Sequence, residues 1–169
     1  PAQPSRENAK MEVSKSLGRM TVVVLGVLAL SGQLALAASP QDAVKARQGA
    51  MKSVAASMKT ISDYVKGAAD KDAALKAAGD LGATSTKLAK MWPKGTSSAD
   101  LPGVSGAKPA IWTDGAKFTD AFGTMNQGSK TLANVIKTGS TDDVKAAAAA
   151  FSKTNCGGCH MNYRDTLQH

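Results

Sequence analysis

Apolar residues recur along this chain at the three- and four-residue steps of helices packed against other helices. The first run, Val44, Arg47, Met51, Val54, Met58, Ile61 and Val65, alternates the two steps throughout. Ser39-Pro40-Gln41-Asp42 ahead of it supplies a cap, a first-turn proline and an acid, and Gly67 behind it a C-terminal stop. A second helix is predicted from about Asp70 to Met91, with Leu75, Ala78, Leu81 and Leu88 inward and Gly79 and Gly82 weakening its continuity. Residues 93–110, rich in proline, glycine, serine and threonine, continue neither helix nor strand and are predicted to form a long loop. A third helix begins near Thr113-Asp114, carries Phe118, Phe122, Met125, Leu132 and Ile136 on one side, and ends at Gly139. Thr141-Asp142-Asp143 caps a fourth, on which Val144, Ala148, Phe151, Cys159 and Tyr163 share a broad face. No segment has the two-residue alternation of a strand. The expected fold is all-α: an antiparallel four-helix bundle with a long loop between the second and third helices.

Ahead of these helices, residues 11–37 have the layout of a secretory leader. Lys15 and Arg19 open it, an apolar run from Val22 to Leu30 follows, and the small residues Ala35 and Ala37 close it. The apolar run is too short for a membrane-spanning helix, which needs about 20 residues, so the reading is a leader over 1–37, removed after Ala37, and a single working domain over 38–169. Export to the periplasm and no stable membrane anchor follow from it. The 169-residue chain has a net charge of +8; residues 38–169 retain 17 basic and 11 acidic residues, a net +6. No block of Lys or Arg marks a nucleic-acid arm, so nucleic acid is not an expected partner.

An exported protein ordinarily uses its cysteines as distributed staples, yet both of these lie together near the C-terminus. Cys156-Gly157-Gly158-Cys159-His160 is the C-x-x-C-H attachment sequence for c-type haem. On a helix, residues three and four apart share a face, so two thiols can bond to the two haem vinyl groups while His160 offers a ring nitrogen to iron. A thioredoxin-like pair would need an α/β pattern, and a zinc site would need ligands that His169 alone cannot supply. One haem c, bound through Cys156 and Cys159, is the expected cofactor.

The stretch from Cys156 to Arg164, together with Arg47-Gln48-Gly49-Ala50-Met51-Lys52 in the first helix and Lys108-Pro109-Ala110-Ile111-Trp112 before the third, resembles the class II c-type cytochromes, cytochrome c′ and its low-spin relative cytochrome c-556. The resemblance covers essentially all of residues 38–169. It implies that Arg47, with Gln48 beside it, meets a haem propionate, and that Arg164 lies close to the proximal imidazole. Arg47 is also the only charge on the inward stripe of its helix, a costly place for a guanidinium without an anion; the alternative is an Arg whose stem packs while its head reaches water.

Met51 decides the mechanism. In the low-spin relatives a methionine at this place supplies the second axial ligand; in cytochromes c′ the residue there only blocks the distal face. Thioether sulfur binds haem iron and raises its potential, whereas a methionine on an inward stripe is usually filler. The run from Arg47 to Lys52 followed by Met58 favours ligation, so His160 and Met51 are the expected metal ligands, with Met58 in reserve. The expected function is one-electron transfer by a six-coordinate haem, with no catalytic residue and no enzymatic activity. The alternative is a five-coordinate cytochrome c′ that binds nitric oxide or carbon monoxide. Lys45, Lys52, Lys59 and Lys66 form a stripe that could orient an acidic redox partner, and the resemblance makes a homodimer plausible.

Overall fold

The computed structural model describes residues 39–166. The leader expected over 1–37 lies outside them. Four long helical arms account for the architecture: α1 (Pro40–Val65), α2 (Lys71–Leu88), α4 (Gly115–Thr138) and a composite arm, with a one-turn helix, α3 (Ala110–Thr113), just ahead of α4. The composite arm begins as α5 (Thr141–Phe151), widens into a π-helical segment over Ser152–Gly157, and returns to α6 (Gly158–Tyr163). Each arm packs on two neighbours: α1 on α2 and α5, α4 on α2 and α5. With short turns inside each pair, this is the expected antiparallel four-helix bundle.

The sequence explains where each arm starts. Ser39 caps α1 through the Asp42 amide at 3.1 Å, Asp70 caps α2 through Ala73 at 2.7 Å, and Ser140 forms a reciprocal capping box with Asp143. Gly67 turns α1 toward α2 with φ of +75°, a conformation that costs glycine nothing. The inward stripe of α1 is buried at Val44, Arg47, Val54 and Ile61, while Met51, Met58 and Val65 are half-buried against the same core. Phe118, Phe122, Met125, Leu132 and Ile136 are all buried, as the spacing predicts.

The structure departs from expectation in four places. The cap of α5 is Ser140, and the Thr141-Asp142-Asp143 run expected to cap it forms the first helical turn. α2 ends at Leu88 rather than Met91, because Lys90 and Met91 already donate to carbonyls three residues back in a tightening turn. Gly82 does not interrupt α2; a Cβ there would stand 2.7 Å from the Ser129 hydroxyl, so glycine lets α2 and α4 close up. The final arm is not one regular helix: the π segment adds a widened turn and shifts the register of Cys156 and everything after it. Gly128 of α4 admits this bulge, since a Cβ there would lie 3.0 Å from Asn155 and 3.1 Å from Phe151.

Candidate functional site

α1 packs directly on α2 and α5 but not on α6. Between α1 and α6 lies a cavity of about 520 Å³, walled by Val44, Arg47, Gln48 and Met51 from the first and by Cys159, His160, Tyr163 and Arg164 from the C-terminal arm. Its floor is apolar and aromatic, formed by Ile111, Phe118, Phe122 and Trp92. Phe118 is the hub, with ring centres 4.7 Å from Trp92, 5.1 Å from Phe122 and 5.0 Å from Tyr163, all near edge-to-face. A second, small cavity of about 30 Å³ continues inward from Met51 and Cys159 to Cys156, Met125 and Asn155.

Both cysteines are free thiols and half-buried. Burial raises the pKa of each, and for Cys159 the neighbouring Cys156 adds to the rise. His160 is half-buried; burial first, then the positive charge of Arg164, lowers its pKa and favours the neutral imidazole, the form that ligates metal. The Asn155 Oδ1 is the one buried side-chain oxygen or nitrogen without a partner among the described residues, and it borders the small cavity. Two free thiols, a neutral imidazole and a mostly apolar chamber of this volume fit a flat, largely apolar macrocycle carrying iron. A Cβ at Gly158 would meet no protein atom, so the backbone between the thiols is open to close approach.

Arg47 is where burial and charge meet. It is 4% exposed, and among the described residues no carboxylate pairs with it. Its Nη1 donates to Thr96 Oγ1 at 2.8 Å, and its Nη2 donates to the Thr96 carbonyl at 2.6 Å and to Ser105 Oγ at 2.7 Å. The guanidinium carbon stands 4.7 Å from the centre of the Trp92 ring. Burial lowers the pKa of the group. The sequence leads one to expect an anion beside this guanidinium; among the described residues its partners are instead neutral oxygens of the loop. Gln48 is exposed and donates from Nε2 to the Val104 carbonyl at 3.1 Å.

The long loop therefore does more than cross the bundle end. Ser98 donates to Asp165 Oδ2 at 2.6 Å, the Asp165 amide to the Gly106 carbonyl at 2.8 Å, and the Lys108 amide to the Tyr163 carbonyl at 3.0 Å. An isolated antiparallel bridge joins Ala107 to Arg164. One loop thus grips α1 at Arg47 and Gln48 and the C-terminal arm at residues 163–165, joining the two walls of the cavity.

Of the residues expected at the site, Arg47, Gln48, Met51, Cys159 and His160 all line the large cavity, and Cys156 lines its small extension. Met58 lines neither and packs on the core. Met125 is buried, Met91 is half-buried and Met161 is 75% exposed. Trp92 belongs both to the aromatic core and to the cavity wall. Thr96, Ser105 and Asn155 went unnoticed in the sequence; the cluster of hydroxyl residues in the loop was the only sign, and it reads equally as turn chemistry.

A family model described as cytochrome C′ matches residues 42–164. The chain belongs to the cytochrome c′ family. Members of this family bind haem c, and Cys156, Cys159 and His160 stand in its attachment spacing. Cytochrome c′ of Alcaligenes xylosoxydans xylosoxydans is 33% identical over 130 residues, covering 75% of this chain and 96% of that one. Cytochrome c-556 of Rhodopseudomonas palustris is 33% identical over 153 residues, covering 86% and 96%. Among solved structures, cytochrome c′ from Rhodobacter spheroides superposes with a TM-score of 0.66 at 28% identity, covering 75% of this chain and 98% of its own. No helix among the described residues is long and apolar enough to cross a membrane.

Proposed function

We propose that this chain is a periplasmic cytochrome c′ with one haem c and an open coordination position for a small gas, nitric oxide or carbon monoxide. Haem c supplies a one-electron iron couple and a place where such a ligand binds. In this reading Cys156 and Cys159 would hold the haem as thioethers, each S–H adding across a vinyl group with sulfur on one carbon and hydrogen on its neighbour, so that no oxidant would be needed. His160 provides the nitrogen ligand. Met51 fills the cavity as an apolar gate without ligating. Arg47 and Gln48 face the polar edge of the macrocycle, Arg164 acts near the imidazole, and no residue acts as acid, base or nucleophile.

The observation that carries the reading is the match to the cytochrome c′ model over nearly the whole helical domain. Burial agrees with it: Met51 is half-buried in one apolar cluster with Val54, Phe122 and Met125, the ordinary setting of a filling methionine. This reverses the preference that the Arg47–Lys52 run suggests from sequence. The second reading, a six-coordinate His160/Met51 electron carrier, is favoured by the c-556 relative, equally identical over a larger share of the chain.

Carbon monoxide binding to the ferrous protein separates them. A gate predicts binding to the wild type without ligand displacement, and faster binding in Met51→Ala with no change of spin state. A wild type that resists carbon monoxide until Met51 is removed, with low-spin iron becoming high-spin, would establish ligation instead.

A further inference from the structure

Arg47 presents a physical oddity. A guanidinium this buried ordinarily meets a carboxylate, which cancels its charge while satisfying its donors. Here its partners are the Thr96 hydroxyl, the Thr96 carbonyl, the Ser105 hydroxyl and the face of Trp92, all neutral. Such partners fix the group in space without supplying a counter-charge of their own, in a setting where the field is poorly screened. Of the five N–H donors of a guanidinium, three are spent on the cage, and those left, one at Nε and one at Nη1, have no partner among the described residues.

The cage is itself held rigidly. Thr96 is fully buried, and its hydroxyl donates to the Pro93 carbonyl at 2.8 Å while accepting from Arg47. The Ser105 hydroxyl donates to the Thr96 carbonyl at 2.7 Å and accepts from the Ala107 amide at 3.2 Å as well as from Arg47. Ser98 closes the loop beneath them, its amide donating to the Ala107 carbonyl at 2.7 Å. The Ser105 hydroxyl thus uses its proton and both lone pairs, and the Thr96 hydroxyl its proton and one lone pair.

We infer that Thr96 and Ser105 are positioning residues that act on the haem through Arg47, holding its positive charge at a fixed place in the cavity wall and so raising the reduction potential of the iron. The inference rests on reading the cavity as the haem site, whichever part Met51 plays there. A fixed cation favours the state that has gained an electron, and preorganised neutral dipoles hold it there without reorganisation when the electron arrives. The loop is then a tuning element for the haem and not merely a connection between helices.

The test is a set of potentiometric titrations on the haem-loaded protein, with thermal unfolding measured alongside. Thr96→Val/Ser105→Ala removes two of the three acceptors; at the wild-type midpoint potential, its ratio of reduced to oxidised haem should fall several-fold, toward that of Arg47→Ala. Adding Arg47→Ala to the double variant should lower the ratio no further than Arg47→Ala does alone. Thr96→Ser, which keeps the hydroxyl, should retain the wild-type value. Should the double variant fold poorly, Ser105→Ala alone should shift the ratio in the same direction by a smaller amount. Variants that lose stability but keep the wild-type potential, or whose shifts add to that of Arg47→Ala, would overturn the positioning role. A wild type without haem absorbance would instead overturn the reading of the cavity itself, so the two failures are distinguishable.

Discussion

Ser98 and Asp165 lie 67 residues apart and meet at 2.6 Å, hydroxyl to carboxylate, where the long loop crosses the chain end. The same loop holds Arg47 through Thr96 and Ser105. The wall that presents Met51 and the wall that presents His160 are thus tied by the loop as well as by the packing of α1 on α5, since the backbones of α1 and α6 do not approach each other directly. Cutting a tie at either end should loosen the site without unfolding the bundle.

That expectation is specific at the C-terminal end. Ser98→Ala and Asp165→Ala should each cost about 1.5 kcal/mol, the usual worth of a hydrogen bond to a charged group. The double variant should cost little more than either single one, since both remove the same contact. Hydrogen exchange should show lost protection at the Asp165 and Lys108 amides, with the middle of α2 and α4 unaffected. A double variant whose cost equals the sum of the singles would mean that the two residues do not act as a pair.

Phe118 should be the most costly aromatic to truncate. It is 4% exposed and touches Trp92, Phe122 and Tyr163, so Phe118→Ala removes a large buried ring and three aromatic contacts together. The expected loss is about 4 kcal/mol in chemical denaturation, with a perturbed haem absorbance because the ring lines the cavity. A loss below about 1 kcal/mol would place the core's anchor elsewhere.

Acid should weaken the start of α5 before it weakens the core. The Asp143 carboxyl accepts from the Ser140 hydroxyl and the Ser140 amide, and these bonds, the side-chain one first, hold its pKa below the usual carboxylate range. A lowered folded-state pKa contributes stability that is present above the unfolded value and is lost as pH falls through the folded value. The difference in melting temperature between the wild type and Asp143→Asn should therefore hold constant near neutrality and close on acidification through that window. A difference that stays constant down through that window would show that the carboxylate's charge is not what the cap uses.

Covalent attachment has its own readout. From a host able to attach haem, the intact protein should carry the mass of one haem c; Cys156→Ala/Cys159→Ala should carry none, while each single variant retains at most one thioether link. An unmodified wild-type mass would remove the basis for every statement about iron.

The helices were legible because their determinants are local. The alternating steps of α1, the Ser39 cap, the acids that open α5 and the stops at Gly67 and Gly139 are written within a few residues of where they act. Cys156, Cys159 and His160 were legible for the same reason: a fixed spacing carries the chemistry. The loop contacts were not, since nothing near Thr96 or Ser105 announces that a guanidinium 49 or 58 residues away will seek their oxygens. Arg47 is legible as an inward charge in need of an anion, but its protein neighbours depend on how α1 and the loop meet. The π segment was hidden too, because it depends on Gly128 of another helix allowing the chain to bulge at Asn155. Met51 is a different case: its position was legible, while ligand and filler have the same pattern in a sequence.

The most direct test is the optical spectrum of the purified, haem-loaded protein, oxidised and then reduced, beside that of Met51→Ala. The account predicts high-spin iron in the wild type and essentially the same spectrum in the variant, with His160 the only protein ligand. A low-spin wild type with a sulfur-to-iron charge-transfer band that disappears in Met51→Ala would contradict it and make Met51 the second ligand of an electron carrier.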